Sequence, residues 1–262
     1  MFIVWGTKRT KRRLGEVADF CPMCRDVRPF QLLRVGTASH VYFVSCGAGK
    51  LTGHIIRCTQ CGVTLAAVPS RYAVFEKHFA ADLAELERMS FPGLRETYAS
   101  RLALEAQIQR APADLTPEQR ASLLFEPFDL LHPVVEAYFA NGTQLDKQSG
   151  IGCFGTILAT IAVIAVAIYI KGTITDAFLV ATGVVFSIGM IYTFIQHGFA
   201  PGRFLRAKIL PPLARALAPL KPEEFELDGC LKKCRTLGYK IGKKVKAKQI
   251  LAEIQLLNTQ PH

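Results

Sequence analysis

The chain has 262 residues, half of them hydrophobic, and its mean hydropathy of +0.23 exceeds that of ordinary soluble domains, so part of it is predicted to lie in lipid. The net charge is +11, and from Gln196 onward thirteen Lys/Arg stand against five Asp/Glu. This excess predicts an anionic partner for the last quarter, either lipid headgroups, nucleic acid or an acidic protein.

Residues 1–66 have the pattern of a small antiparallel sheet. Phe30–Val35 and His40–Ser45 are rich in aromatic and β-branched residues, and Gly47 and Gly49 provide a turn before a third strand at Leu51–Arg57. The apolar start of the chain is too short for a secretory signal, so the N-terminus is expected to stay in the cytosol.

A basic run precedes this sheet. Lys8–Arg13 contains five positive charges in six residues. Such a run is typical of a solvated, membrane-near or flexible arm, although a ribbon with a basic arm can also bind phosphate backbones.

Two Cys-x-x-Cys pairs carry the strongest chemical signal. Tight turns at Cys21-Pro-Met-Cys24 and Cys58-Thr-Gln-Cys61 let two thiolates each converge on one metal, which predicts a tetrahedral four-thiolate shell suited to Zn²⁺. A full cysteine shell leaves no position for water, so the zinc is expected to be structural. Iron in a rubredoxin-like carrier and an unmetallated thiol site are the alternatives.

Other residues near these pairs are weaker candidates. His40 and His54 could support or replace a ligand, but a lone histidine on a strand is more often solvent-facing. Cys46 and Cys153 are interpreted as small apolar residues without chemistry.

The N-terminal third resembles the bacterial zinc-ribbon domains found at the start of small membrane proteins of unassigned function. The resemblance rests on the apolar opening, the basic run, the first Cys pair, the strand with Val41-Tyr42-Phe43 and the second pair ending in Cys61-Gly62. It covers about residues 1–66 and implies that Cys21, Cys24, Cys58 and Cys61 are the ligands. Ser45-Cys46-Gly47 departs from the turn that relatives often carry.

A helical cytoplasmic region is predicted over 67–149. Thr116-Pro117-Glu118-Gln119 has the pattern of a capping box, Pro127 and Pro133 are expected to divide the helix that follows, and Asn141-Gly142 ends it. Two earlier helices, from Ser70 and from Pro92, are predicted from apolar residues at spacings of three and four: Tyr72, Phe75, Phe79, Leu83 and Leu86, then Leu94, Tyr98, Leu102 and Ile108.

Residues 150–170 and 177–196 contain no charged residue and no histidine. As helices each is roughly 30 Å long, which matches the hydrocarbon core of a bilayer. The short Lys171–Asp176 connection predicts a transmembrane hairpin over 150–196. The alternative, two buried core helices of a soluble protein, would need a larger shell than the rest of the chain offers.

The basic residues that flank these spans predict the orientation. Arg203, Arg206, Lys208 and Arg215 follow the second span closely, so both termini are expected in the cytoplasm, at the inner membrane if the source is bacterial. Small residues four apart, Gly155/Ala159 and Gly183/Ser187, are candidates for close helix contacts within or between chains.

Residues 197–262 are predicted to form a basic helical tail. Helices are expected from Pro222-Glu223-Glu224 and after a break near Gly238. The tail could lie on anionic lipid or pack on the helices of residues 70–140. Cys230 and Cys234 share one helix side and are interpreted as packing residues, with S-acylation as the alternative. The apolar side of the tail comprises Ile241, Val245, Ile250, Ile254 and Leu257.

The predicted fold class is therefore a multi-domain membrane protein, with a zinc ribbon, a helical linker region, a two-helix hairpin and a basic tail. No phosphate-binding glycine loop, His-Glu-x-x-His or nucleophile motif is present in the sequence, so no enzyme activity is expected. The expected function is that of an adaptor or assembly factor for a protein partner at the membrane. The alternative is a membrane-tethered nucleic-acid-binding protein that uses Lys8–Arg13 and the tail.

Overall fold

The structure is a computed structural model that describes residues 5–41, 44–45, 47, 49–75, 82–140, 147–171 and 176–259. The predicted antiparallel sheet is confirmed, and its strands lie in the order β1-β2-β4-β5, with β3 pairing only with β2. The strands are β1 (Trp5–Cys21), β2 (Asp26–Val41), β3 (Val44–Ser45), β4 (Lys50–Cys58) and β5 (Thr64–Ala66).

The basic run is part of a strand, so its interpretation as a flexible arm is wrong. β1 pairs with β2 along its whole length, with Lys8 opposite Ala38 and Arg13 opposite Leu33, and a bulge lies between Arg13 and Gly15. Arg13 is exposed to solvent, as are the other described side chains of the run except that of Thr10. A continuous backbone ladder fixes the extended conformation although lysine is a poor strand former.

The second predicted strand, His40–Ser45, is divided in the structure. β2 runs through His40 to Val41, and β3 contributes Val44–Ser45. Tyr42 and Phe43 lie outside the described residues.

Most of the remaining described chain is helical, as predicted. A π-helical turn, Leu205–Ile209, joins α6 to α7, and short 3-10 helices lie at Pro69–Arg71, Pro112–Asp114 and Ala218–Leu220. The helices are α1 (Leu83–Ser90), α2 (Leu94–Thr97), α3 (Ala99–Arg110), α4 (Pro117–Ala140), α5 (Lys147–Lys171), α6 (Asp176–Phe204), α7 (Leu210–Leu217), α8 (Glu224–Thr236), α9 (Ile241–Lys244) and α10 (Ala247–Thr259).

The helix predicted from Ser70 is confirmed only at Leu83 and Leu86, which lie in α1, whereas Tyr72 and Phe75 are not helical. Among the residues described between Val68 and α1, only the 3-10 turn at Pro69–Arg71 is helical, and Phe79 lies outside the description. Tyr72 is instead a buried contact of the sheet, because its hydroxyl donates to Asp19 at 2.6 Å. A specific tertiary hydrogen bond therefore outweighs the local helical periodicity.

Asp19, near the end of β1, joins the sheet to the helices. Its buried carboxylate accepts hydrogen bonds from the hydroxyls of Tyr72 and, at 2.9 Å, Tyr98. One residue earlier, the amide of Ala18 donates to the Ser90 hydroxyl at 2.9 Å. These bonds satisfy polar groups that would otherwise be costly to bury.

The capping box at the start of α4 is confirmed. The Gln119 amide donates to the Thr116 hydroxyl at 3.2 Å, and the Thr116 amide donates to the Gln119 side chain at 3.1 Å. The structure describes α4 to Ala140, and the end predicted at Asn141-Gly142 lies outside the described residues.

Pro127 and Pro133 do not divide α4, and the prediction of a break there is wrong. Proline lacks an amide hydrogen, so Pro127 deprives the Leu123 carbonyl of its usual donor. The Arg25 guanidinium supplies a donor to that carbonyl at 3.4 Å. A side chain distant in sequence thus compensates for the missing helical hydrogen bond.

Pro133 is compensated in a similar way. It deprives the Asp129 carbonyl of its donor, and the Nδ1 atom of His132 lies 2.7 Å from that oxygen. Tyr239 stacks on the His132 ring with centroids 3.8 Å apart and donates its hydroxyl to the Asp129 carboxylate at 3.0 Å.

Helices α5 and α6 are each long and apolar enough to cross a membrane. Their outward side chains include large hydrophobic residues such as Phe154, Ile188 and Phe194 that are exposed on the protein surface. The second helix continues past the predicted end at Gln196, through Pro201 to Phe204.

The close contact between α5 and α6 does not involve the predicted glycines. A Cβ atom added at Gly155 or Gly183 would meet nothing within 4 Å. At Gly189 it would collide with the Thr156 side chain, and at Gly152 it would lie 3.3 Å from Thr193 Oγ1. Gly152 and Gly189 are therefore the small residues that let these two helices approach.

We predict that Gly189→Ala weakens the packing of α5 on α6 and that Gly183→Ala does not. The added methyl at 189 overlaps Thr156, and overpacking of this kind costs about 1–3 kcal/mol. Resistance of the purified protein to unfolding by SDS is the measurement, and the Gly183 variant is the matched control. Equal resistance of both variants would contradict this contact.

The chain divides into two compact units, one comprising Met1–Pro133 with Pro212–His262 and the other Val134–Pro211. The first unit contains the sheet, α1 to α3 and the C-terminal helices. The second contains α5 and α6. The two ends of the chain thus belong to one folded unit.

The C-terminal tail contacts the helical region, as one of its two predicted alternatives requires, through the Arg120–Glu226 ion pair and the hydrogen bond from Tyr239 to Asp129. α8 starts after Glu223 with a capping box to Glu226, and the break at Gly238, where φ is +80°, is confirmed. Leu257 is half-buried. The other apolar side chains predicted for the tail are buried and thus unavailable to lipid: Ile241, Val245, Ile250 and Ile254.

Candidate metal centre

The structure brings the four predicted ligands together at the end of the sheet. The Sγ atoms of Cys21 and Cys61 are 3.5 Å apart, those of Cys24 and Cys58 are 3.9 Å apart, and all four lie within 4.8 Å of one another. A tetrahedral shell with Zn–S bonds of about 2.3 Å requires sulfur atoms about 3.8 Å apart. The cluster can therefore hold one metal ion, and its geometry is consistent with zinc.

The ends of the long strands place these thiols. Cys21 ends β1 and Cys58 ends β4. Both strands pair antiparallel with β2 and therefore run in the same direction, so the two turns lie at the same end of the sheet. Within the first turn the amide of Cys24 donates to Cys21 Sγ at 3.4 Å. Within the second, the amide of Gly62 donates to the Cys58 carbonyl at 3.0 Å.

The four side chains interact strongly with one another. Hydrogen bonding to Cys24 raises the pKa of the Cys21 thiol, and hydrogen bonding to Cys21 lowers the pKa of the Cys58 thiol. Cys21 and Cys58 are buried, whereas Cys24 and Cys61 are partly accessible. A bound cation would replace the shared protons and allow all four sulfurs to be thiolates.

Both turns end in a left-handed residue, and they differ in which residue it is. Gly62, with φ of +75°, follows the second pair, and Arg25, with φ of +58°, follows the first. Glycine adopts this conformation freely, whereas an L-residue with a side chain pays about 1–2 kcal/mol. Arg25 therefore needs a compensating interaction.

Contacts between the Arg25 side chain and the helices compensate for its left-handed backbone conformation. Its guanidinium is almost completely buried and pairs with the Glu105 carboxylate of α3 at 3.0 Å. It also donates to the carbonyl of Leu123 in α4 and to that of Ala216 in the last turn of α7. The first Cys turn is thereby joined to three helices.

The Glu105 carboxylate is shared between two arginines. Arg101 pairs with Glu105 at 2.8 Å and also with Glu126 of α4. Arg101 Cζ lies 5.3 Å from the centre of the Phe20 ring, next to Cys21. The charges of this network balance in pairs, which is the condition under which buried ions are tolerated.

The two Cys turns have opposite environments. Met23 in the first turn is buried, like Arg25 beside it. In the second turn Thr59 and Gln60 are exposed, as is the neighbouring Arg57. One turn thus faces the protein and the other faces solvent.

The remaining candidates do not join the metal cluster. His54 is half-buried on β4, and Cys153 lies in α5. Among the described residues, only the four predicted cysteines form a group of ligands close enough to hold a metal. Cys46 and the side chain of His40 lie outside the description.

Cys230 and Cys234 are buried in α8, away from the metal cluster. Burial raises the pKa of each thiol to about 11. Both are therefore protonated near neutral pH, in agreement with their interpretation as packing residues.

Sequence reasoning missed Arg25 and Glu105. A signal for Arg25 was present, because it occupies the position that Gly62 occupies in the second turn. No local pattern marks Glu105, which lies on a helix among other charged residues.

Comparison of the chain with protein-family models, with curated proteins and with solved structures finds no match.

Proposed function

We propose that the protein is a membrane-anchored zinc-ribbon adaptor, which uses the exposed second Cys turn to bind a protein partner at the cytoplasmic face. The observation that carries this proposal is the asymmetry of the metal centre. The first turn is anchored on the helices through Arg25, while the second presents polar side chains to solvent. A four-thiolate zinc leaves no site for a substrate, so the metal shapes a surface instead of performing chemistry.

Membrane anchoring by a two-helix hairpin is supported by the contacts that join the two ends of the chain. The segment before the apolar helices and the segment after them are linked by the Arg25–Ala216 hydrogen bond and by the Arg120–Glu226 ion pair. A bilayer cannot pass through one folded unit. Both segments therefore lie on one side, as a hairpin requires.

We predict that this side is the cytoplasm, because basic residues follow α6 closely and thiolates persist in reducing compartments. Reporters fused to the two chain ends should both report the cytoplasm, and a tag between Lys171 and Asp176 should be accessible from outside. Reporters on opposite sides would mean that one helix does not span the membrane.

The partner-binding face is tested by charge reversal on the second turn. Arg57→Glu combined with Gln60→Glu should abolish recovery of the partner in mild detergent, while the zinc content stays the same. The matched control is Arg110→Glu with Gln109→Glu, the same exposed residue types at the end of α3. Equal recovery with both double variants would place the interaction elsewhere.

Nucleic-acid binding is the second candidate, and the exposed basic side chains of β1 favour it. Arg9, Lys11, Arg12 and Arg13 all face solvent on one strand. If they contact phosphates, affinity for nucleic acid should fall steeply with salt and should fall further when Lys11 and Arg12 are replaced by glutamine. An affinity that is weak and independent of these residues would exclude this role.

A further inference from the structure

A cavity of about 470 Å³ opens between α4 and α8, within the unit that also contains the metal centre. This volume lies in the range of small-molecule sites, about 300–1,000 Å³. Its walls are mostly apolar and include Leu115, Ala121, Leu124, Phe125, Gly229 and Cys230. The cavity is distinct from the metal centre and from the exposed second Cys turn.

Three charged side chains border the cavity, and one of them has no countercharge. Arg120 and Glu226 pair with each other, with Nη2 and Oε2 2.9 Å apart. Lys233 is exposed to solvent and its Nζ lies 4.1 Å from the centre of the Phe125 ring, and none of the ion pairs among the described residues involves it. The cavity therefore carries one net positive charge beside an apolar wall.

We propose that this cavity binds a medium-chain monocarboxylate, with the hydrocarbon chain against Leu124 and Phe125 and the carboxylate on Lys233. Contact with an aromatic face leaves the three ammonium hydrogens able to donate to an anion. An apolar chain can pack against the apolar side chains of the walls, and a single negative charge complements Lys233. An amine of the same length would place a cation against this lysine and would be excluded.

Gly229 is an exposed residue that lines the cavity on its α8 side. It lies inside α8, where glycine is a poorer helix former than alanine. A Cβ atom at this position would meet nothing within 4 Å, so the glycine is not required by close packing. A larger side chain at 229 would instead fill the space that the ligand would occupy.

The experiment uses the full-length protein in detergent with a decanoate analogue that carries a photoreactive diazirine at the end of its chain. Crosslinked peptides are identified by mass spectrometry. We expect crosslinks within residues 115–125 and 226–233 that excess decanoate suppresses and decylamine does not. Crosslinks to the apolar helices measure non-specific partition and serve as the internal reference.

Two substitutions test the geometry. Gly229→Leu should remove the crosslinks at the cavity while thermal stability is kept or raised, whereas Gly229→Ala, the matched control, should retain them. Lys233→Met keeps the length and apolar contacts of the side chain and should weaken competition by decanoate about tenfold or more, the loss expected for a charge-assisted hydrogen bond.

The proposal is overturned by any of three results: no crosslink above the internal reference at the cavity, equal competition by decanoate and decylamine, or unchanged competition in the Lys233→Met protein. None of these results bears on the adaptor role, because Arg57 and Gln60 do not line this cavity.

Discussion

Purified protein is expected to contain about one zinc ion per chain, and Cys58→Ser or Cys21→Ser should each abolish this binding. The four sulfurs already lie at the separations of a tetrahedral shell, so removal of one opens the site to water and to loss of the metal. Binding of zinc to a four-thiolate site contributes on the order of 10 kcal/mol to folding. Chelation should therefore unfold the ends of β1 and β4 first.

The zinc prediction is checked by metal analysis of the purified variants. Cys153→Ser is the matched control, because this cysteine lies in α5, and it should keep full zinc content. Full occupancy in the Cys58→Ser protein would contradict the proposed shell. Iron in place of zinc would support the rubredoxin-like alternative.

Arg25→Met is expected to destabilise the attachment of the first Cys turn by about 3 kcal/mol, since breaking a buried ion pair leaves an uncompensated charge. Glu105 is only 6% exposed and would keep Arg101 as its sole partner in the observed network. The Leu123 carbonyl would lose its donor as well. Hydrogen exchange of α3 and of residues 21–25, followed by mass spectrometry, measures the loss.

An exposed ion pair provides the control for Arg25. Arg95 pairs with Glu87 at 2.8 Å, but its side chain is 67% exposed, so Arg95→Met should cost less than about 1 kcal/mol. The double variant Arg25→Met/Glu105→Leu should recover much of the loss, because two apolar residues replace the ion pair. A loss of equal size for Arg95→Met, or none for Arg25→Met, would show that the buried network does not anchor the turn.

Several features could be predicted from local sequence because their causes are local. The four ligands follow from two short spacings, the start of α4 from the capping pattern at Thr116, and the presence of two helices long enough to cross a membrane from uncharged runs. In each case the residues that decide the outcome are neighbours in the chain. Only the approach of the two Cys pairs depends on the fold, because the pairing of β1 and β4 with β2 brings them together.

Other features were decided only by contacts between distant segments. The Lys8–Arg13 run became a strand because β2 pairs with it, and α4 continues through Pro127 because Arg25, almost a hundred residues earlier, supplies a donor to Leu123. The choice between lipid and protein for the tail was likewise settled by burial of residues such as Ile241. A sequence pattern indicates which polar and apolar groups must be hydrogen-bonded or buried. Only the tertiary structure determines which distant residue makes that contact.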